Sequence, residues 1–274
     1  MILDLDIANS LSKWRLKDSI SNEVRSRGIV GTAEEWQPGW NIPDLGAVEV
    51  IRISNADDAD ILRGSIDLLR HQVNYVHVAQ SSGRALGVTN GYEEPQQLRV
   101  DRWLGVLAGY QLTGGCCVVD CSSAITIDFV FPGGRHLGGY VLPGLRLMKE
   151  ILQLGTHNVA IDLDSEAEEL LAPGRQTTEA VNHGIYIAAV SAINHVYLEI
   201  CRKEDKVLPL LLTGDDAQIV ARGVQPSYSI WPDMVYGGLE ACFPVTAFER
   251  AGQMSGAPDV PGIIALNAGV IETA

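Results

Sequence analysis

The chain has 274 residues, of which 46% are hydrophobic, and a formal net charge of −14. That apolar content can build the core of one large or two medium domains, which excludes a disordered chain. The negative charge and the lack of any basic run argue against a nucleic-acid or anionic-membrane surface, since both need clustered Lys and Arg. With no signal-peptide pattern and no apolar stretch near the ~20 residues of a membrane span, we expect a cytoplasmic protein.

The first third of the chain predicts strands that end in polar loops. An apolar alternation at the N-terminus ends in the loop "DIANS", and a second strand follows in "LSKWRL". Farther on, strands are predicted at "AVEVIRIS" and "NYVHVA", with an amphipathic helix between them at "DADILRGSIDLLRHQ". A Gly-rich polar loop, "SSGRALGVTNGYEEPQQL", then precedes a helix that begins near Asp101.

The rest of the chain predicts three strands and then mainly helices. The strands are "CCVVD", "AITIDFV" and "HLGGYVL", and a "PGG" turn joins the last two. Helices are predicted at "LRLMKEILQL", "DSEAEELLA", the long segment 176–203 and "YGGLEACF". The long helix starts with a Thr-x-Glu capping signal. Within 207–223 we expect a buried strand, a turn and a helix, whereas the Gly- and Pro-rich tail from about Pro244 has no clear period.

The cysteines give no sign of a metal site or a disulfide framework. Their number is odd, and their spacing is not C-x-x-C, so we interpret them as small core residues. They are Cys116, Cys117, Cys121, Cys201 and Cys242. The motifs of P-loop NTPases, dinucleotide-binding folds, α/β-hydrolases and zinc proteases are also missing from the sequence.

Two loops share one plan. In each, a buried strand delivers an aspartate (Asp6 or Asp120) into small polar residues, and a hairpin partner leads away. Small residues let backbone N–H groups approach phosphate, and a carboxylate can hold Mg²⁺, while Lys13 could reach a phosphate as a point charge. Ordinary Asx turns explain either loop alone better. The pairing leaves both readings open and predicts two similar α/β domains, 1–115 and 116–274.

A third candidate site is "LRVDRW". Asp101 and Arg102 at a helix start could place a general base beside an anion-binding guanidinium. From the residues alone, a carboxylate stabilised by the helix dipole is the simpler explanation.

These segments together resemble type III pantothenate kinases, from Met1 to about Pro244. The resemblance rests on seven motifs in order: "DIANSLSKWR", "GVTNGYEEPQQLRVDRW", "VVDCSSAIT", "HLGGYVLPGLRLM", "QTTEAVNHG", "LLTGDDA" and "PDMVYGGLEA". It implies an α/β fold of two ribonuclease-H-like (actin-like ATPase) domains with a nucleotide cleft between them. It also implies a homodimer in which the partner subunit closes the substrate pocket.

The implied activity is ATP-dependent phosphorylation of pantothenate, with Mg²⁺ and a monovalent cation (K⁺ or NH₄⁺). The implied catalytic base is Asp101, and the implied metal ligands are Asp120 for the monovalent cation and Asp6 for Mg²⁺ through phosphate. The implied ATP-binding residues are Asp6, Ala8, Asn9, Ser10, Lys13, Ser122 and Ser123. The implied substrate-binding residues are Tyr92, Arg99, Val100, Asp101, Arg102 and Thr177.

The sequence departs from the family at four glycine positions, which hold Ala8, Arg99, Ser122 and Asp215. A Cβ costs ~1–2 kcal/mol wherever φ must be positive, and side chains at 8, 122 and 215 could intrude on ATP. For Arg99 we expect a guanidinium turned to solvent, because a buried unpaired charge is expensive; an inward guanidinium would bind an anionic group. Two alternatives stay open: a same-fold kinase of another small hydroxy-substrate, or a non-catalytic regulatory or binding paralogue.

Overall fold

The computed structural model describes residues 1–7, 12–30, 45–55, 73, 75–155, 171–244 and 263–267. The chain divides into two compact units. The first contains the described residues of Met1–Gln111 together with those from Met234 onward, and the second is Leu112–Asp233. We had predicted a second domain of 116–274. The structure differs from this prediction because the described residues from Met234 onward belong to the first unit.

The strands and helices have the following bounds. The strands are β1 Ile2–Ile7, β2 Ser12–Lys17, β3 Val24–Val30, β4 Val50–Asn55, β5 Tyr75–Ala79, β6 Arg84–Ala85, β7 Val88–Thr89, β8 Cys116–Cys121, β9 Ala124–Phe131, β10 Arg135–Pro143, β11 Leu210–Thr213, β12 Tyr228–Ile230 and β13 Ile263–Asn267. The α-helices are α1 Val100–Thr113, α2 Leu145–Gly155, α3 Thr177–Lys203, α4 Ala217–Ala221 and α5 Met234–Cys242. Short 3₁₀ turns cover Leu45–Ala47 and Pro95–Gln97.

Each unit is built on its own sheet, and the two sheets share one arrangement of strands. In the first unit the strand order is β13-β5-β4-β1-β2-β3; β1, β2 and β3 form an antiparallel meander, and β4 and β5 run parallel to β1 on its other side. In the second unit β8 to β12 are ordered β12-β11-β8-β9-β10 with the same directions. This is the ribonuclease-H-like arrangement, which confirms the predicted fold class.

Alternation along β1 separates an apolar face from a polar one. Leu3, Leu5 and Ile7 join the core of the first unit, while Asp4 and Asp6 lie on the opposite face. The second unit buries the corresponding residues of β8, such as Val119, against α3. In each unit, therefore, the first strand is buried along its length and delivers an aspartate at or near its end.

Five strands were not predicted from the sequence, namely β3, β6, β7, β12 and β13. The edge strand β3 is mostly exposed and carries Arg25 and Arg27, so it shows no apolar alternation. Strand β13 is five residues long and lies in the tail that we had considered aperiodic. The predicted helix "DADILRGSIDLLRHQ" and most of "DSEAEELLA" fall outside the described residues.

Helix α3 corrects two expectations. Among the described residues, it is the one helix with the length and apolar composition to cross a membrane, although we had expected no such segment. Ile185 and Ile193 on one side of it belong to the core of the second unit. Its N-cap is Gln176 without a side-chain cap bond, and Glu179 accepts a hydrogen bond from the Arg175 N–H at 2.8 Å. Of the predicted Thr-x-Glu capping signal, therefore, only the glutamate makes a capping hydrogen bond.

Candidate active site

Three polar residues lie side by side where β1 ends. In the sheet register, Asp6 is directly opposite Lys13 on β2 and beside Ser54 on β4. Residues paired in this way place their side chains on the same face, with Cβ atoms ~4.5–5.5 Å apart. A carboxylate, an ammonium and a hydroxyl are thus assembled next to the first loop. The predicted loop residues Ala8, Asn9 and Ser10 lie outside the described residues.

The hydroxyl of Ser54 was not predicted as a site residue. Its side chain is fully buried, and its Oγ has no hydrogen-bond partner among the described residues. An unmade bond of this kind costs ~1–3 kcal/mol. Such an orphaned donor beside Asp6 is compatible with a site that takes an oxygen-rich ligand. The only sequence signal was the position of Ser54 at the end of a neighbouring parallel strand.

The second loop is a tight turn between β8 and β9. Ser122 Oγ donates to Asp120 Oδ1 at 2.6 Å, and the Ser122 N–H bonds the Ala124 carbonyl at 3.1 Å. Ser123 is exposed, and its carbonyl accepts from the Gly144 N–H at 3.0 Å. The serine at the family glycine position therefore caps the aspartate that precedes it.

A neighbouring strand end adds two more carboxylates to this loop. Gly214 follows β11 with φ of +93°, and a Cβ there would lie 2.5 Å from Asp120 Oδ1. Only glycine suits this conformation and this approach. Asp215 and Asp216 come next, and burial together with the Asp215 charge raises the pKa of Asp216. In the second unit, then, an acidic turn packs against the predicted cation ligand.

The glycine replacements cause no backbone strain in the described part of the chain. The described non-glycine residues with positive φ are Asn22, Leu86 and Asp205. Arg99, Ser122 and Asp215 are not among them. The ~1–2 kcal/mol penalty therefore does not apply at these three positions.

The loop before α1 is organised by Asn90. Its amide donates to the Ser82 carbonyl at 3.2 Å, and its Oδ1 accepts from the Tyr92 N–H at 3.0 Å. The Tyr92 hydroxyl in turn accepts from Arg102 Nη1 at 2.8 Å, and the guanidinium lies 5.6 Å from the Tyr92 ring centroid. The structure thus brings together the predicted substrate residues Tyr92 and Arg102.

The predicted base Asp101 lies in the first turn of α1. Its Oδ1 accepts from the Arg102 N–H at 2.8 Å. Its Oδ2 accepts from Arg99 Nη2 at 2.9 Å and from Arg99 Nε at 3.3 Å. The side chains of Arg99 and Asp101 are 39% and 23% exposed. Arg99 is therefore neither turned fully to solvent nor buried, because it forms an ion pair with Asp101, the predicted base.

Two other predicted substrate residues have different surroundings. Val100 is buried at the start of α1. Thr177 is exposed at the start of α3, in the second unit.

The polar face of the first sheet also carries a buried ion cluster that was not predicted. Asp4, fully buried, accepts from Arg15 Nη2 at 2.6 Å and from Arg52 Nε at 2.6 Å. Glu240 on α5 contacts Arg15 at 2.5 Å and also pairs with Lys17. The cluster therefore joins α5 to strands that continue toward the predicted phosphate loop.

Comparison with known proteins gives consistent matches. A family model described as type III pantothenate kinase matches residues 2–199. A type III pantothenate kinase of Chromohalobacter salexigens is 69% identical over 94% of this chain and 92% of its own length. One from Ectopseudomonas mendocina is 36% identical over 90% of this chain and all of its own length. A solved Baf family transcriptional activator from Campylobacter jejuni has a TM-score of 0.49 and 20% identity, over 87% of this chain and 95% of that one.

Two like α/β units, each with an aspartate near the end of its first strand, define a protein of the actin-like ATPase fold. The family match covers most of that fold, and the relatives match over nearly their whole length. The chain belongs to the type III pantothenate kinase family.

Proposed function

We propose that the protein phosphorylates pantothenate with ATP to 4′-phosphopantothenate, the first step toward coenzyme A, in the cytoplasm. The observation that carries this proposal is the 69% identity to a type III pantothenate kinase over 94% of the chain. The arrangement of Tyr92, Asp101 and Arg102 in one hydrogen-bonded group is compatible with a substrate site.

The ATP phosphates would be held by the two loops that end β1 and β8. In the first, Lys13 supplies a positive charge beside Asp6, along with the predicted contacts of Ala8, Asn9 and Ser10. In the second, Ser122 and Ser123 offer hydroxyls next to Asp120. Phosphate binding by such loops depends on close approach and fixed dipoles rather than on a single strong contact.

The residues are compatible with Mg²⁺ carried mainly by phosphate. The described residues contain no group of three or more His, Cys, Asp or Glu that could hold a metal alone. Asp6 and the orphaned Ser54 hydroxyl are oxygen donors, which Mg²⁺ prefers, and one or two such ligands plus phosphate are typical. Asp120 with its loop carbonyls would hold the monovalent cation. The metal's chemistry is to neutralise charge on the transferred phosphoryl group.

Asp101 would accept the proton of the pantothenate hydroxyl. As that oxygen bonds to the γ-phosphorus, the bond from phosphorus to the β–γ bridging oxygen breaks, and ADP leaves with the electron pair. The Arg102 N–H fixes one oxygen of Asp101, so the carboxylate is oriented before substrate binds. The Arg102 guanidinium and Tyr92 would position the substrate.

One alternative substrate class follows from a specific observation. The Arg99 guanidinium lies on Asp101, where the family has glycine, and a second anionic group on a substrate could bind it. A small hydroxy-acid other than pantothenate is therefore the second candidate. A panel of such acids in the same coupled assay would separate the two.

We also propose a homodimer in which the partner subunit closes the substrate pocket. Large apolar side chains are exposed on α2 and α3, two helices that pack together, and a second copy could cover them. They are Leu147, Ile151, Leu152, Leu154, Ile187 and Leu198.

The test of the proposed reaction is Asp101→Asn. We expect kcat for pantothenate to fall at least ~10²-fold, the low end for loss of a general base, with Mg·ATP affinity by calorimetry unchanged. Asp18→Asn is the control, since Asp18 is an aspartate on the surface that pairs with Arg25 at 3.0 Å. Full activity of folded Asp101→Asn would remove Asp101 from the mechanism.

A further inference from the structure

Arg99 binds the predicted base as a fork. Its Nη2 and Nε both donate to Asp101 Oδ2, at 2.9 Å and 3.3 Å, while the Arg102 N–H holds Oδ1 at 2.8 Å. Both carboxylate oxygens are thus engaged by donors. As the structure has it, Asp101 is held in position, and the Arg99 guanidinium lies over the oxygen that the Arg102 N–H leaves open.

The pair is also easily exchanged. The Arg99 side chain is 39% exposed, and exposed ion pairs are among the weakest in proteins. A guanidinium binds any carboxylate with the same planar fork. A carboxylate on a bound substrate would therefore compete directly with Asp101 for Arg99. The exchange keeps the Arg99 charge paired, because one carboxylate replaces another, and it is Asp101 that loses its ion pair.

We propose that Arg99 is a specificity-determining residue: it pairs with Asp101 until the carboxylate of the substrate takes its guanidinium and frees the base. This rests on the proposed function, since it requires Asp101 to be the base for a hydroxyl of an acidic substrate. It selects for acids in two ways. An acid gains a contact with Arg99 and releases Asp101, whereas a neutral analogue does neither.

The test compares two substrates in wild type and in Arg99→Gly. One is pantothenate, and the other is its neutral alcohol, in which a hydroxymethyl group replaces the carboxylate. In Arg99→Gly, we expect KM for the acid to rise about five- to tenfold and kcat for the alcohol to rise severalfold. The acid is therefore used less well and the alcohol better. The variant loses the contact that binds the acid, but it frees Asp101 for both substrates. Arg99→Lys keeps the charge without the fork, so it should fall between wild type and Arg99→Gly.

Arg25→Gly is the matched control, since it removes an Arg–Asp ion pair of 3.0 Å on β3. It should leave the ratio of acid to alcohol turnover unchanged. Equal changes for both substrates in Arg99→Gly, or none above twofold, would overturn the role of Arg99 while leaving the kinase intact. If the wild type turns over neither substrate, the proposed function is refuted, and the role of Arg99 with it.

Discussion

At the scale of single residues, the polar group where β1 ends is formed by residues on neighbouring strands of the sheet. Asp6, Lys13 and Ser54 are far apart in sequence but adjacent in register. Lys13 was predicted from its place in the first hairpin, whereas Ser54 was not, because its strand partner is 48 residues away. A serine at the end of a strand suggests a turn to follow; its burial beside a carboxylate is what makes Ser54 a candidate site residue.

Ser54→Ala should stabilise the protein without nucleotide. Removing a buried hydroxyl that has no partner removes its desolvation penalty, so we expect the free energy of unfolding to rise by ~1 kcal/mol. The measurement is denaturant unfolding followed by fluorescence. If the hydroxyl finds its partner in bound nucleotide, Mg·ATP should stabilise the variant less than wild type.

Ser82→Ala is the matched control for that change. Ser82 is also buried, but its hydroxyl donates to the Arg84 carbonyl at 3.2 Å. Its loss should therefore destabilise the protein. Destabilisation by Ser54→Ala as well would contradict the interpretation of its hydroxyl as an orphaned donor.

At the scale of elements, ion pairs hold α5 against the sheet of the first unit. Two carboxylates, Asp4 and Glu240, meet three cations, Arg15, Lys17 and Arg52. The Arg15 guanidinium also lies 4.7 Å from the ring centroid of Tyr236 on α5. Breaking one partner of a buried cluster leaves charge uncompensated, which is costly. Helix α5, at which the chain re-enters the first unit, is thereby held against β2, the strand that carries Lys13.

Glu240→Gln should destabilise the first unit by ~2 kcal/mol at neutral pH, since it removes charged hydrogen bonds to Arg15 and Lys17. Burial raises the pKa of Glu240, but the Lys17 hydrogen bond and the neighbouring cations outweigh it, and the pKa is lowered from 4.5. A lowered pKa contributes stability that is present above the unfolded value and is lost as pH falls through the folded one.

Wild type and Glu240→Gln should therefore differ most above pH 4.5 and converge below it, in thermal unfolding recorded by circular dichroism. Glu199→Gln is the control, because Glu199 pairs with Arg202 on the surface at 2.7 Å. It should change the unfolding temperature far less. A constant gap between wild type and Glu240→Gln across this pH range would contradict the assignment.

At the scale of the whole molecule, exposed apolar surface is concentrated on α2 and α3. Ile151 and Leu154 are 52% and 82% exposed, and Ile187 and Leu198 add to the same pair of packed helices. Contiguous apolar patches on a protein surface mark interaction sites more often than single residues do.

If these helices form the dimer interface, Ile187→Asp should yield monomers. A charge at the centre of an apolar interface is left desolvated, so we expect the mass by light scattering to halve. If the partner subunit closes the substrate pocket as proposed, pantothenate kcat/KM should fall with it. Val207→Asp is the control, since Val207 is 80% exposed but follows α3 in a loop. A monomeric wild type with full activity would refute the dimer.

The sequence alone determined the strands β1 and β8 with their aspartates, the loop that follows Asp120 and the helix that carries Asp101. These depend on local signals, namely alternation, small residues and a carboxylate at a helix start, which neighbours in the chain can specify. The tertiary structure decided the pairing of Arg99 with Asp101, the exposed patch on α2 and α3 and the return of α5 to the first unit. It also decided the Asp4 cluster, whose partners lie 11 and 48 residues away. Such contacts depend on which strands become neighbours, and local patterns do not specify that.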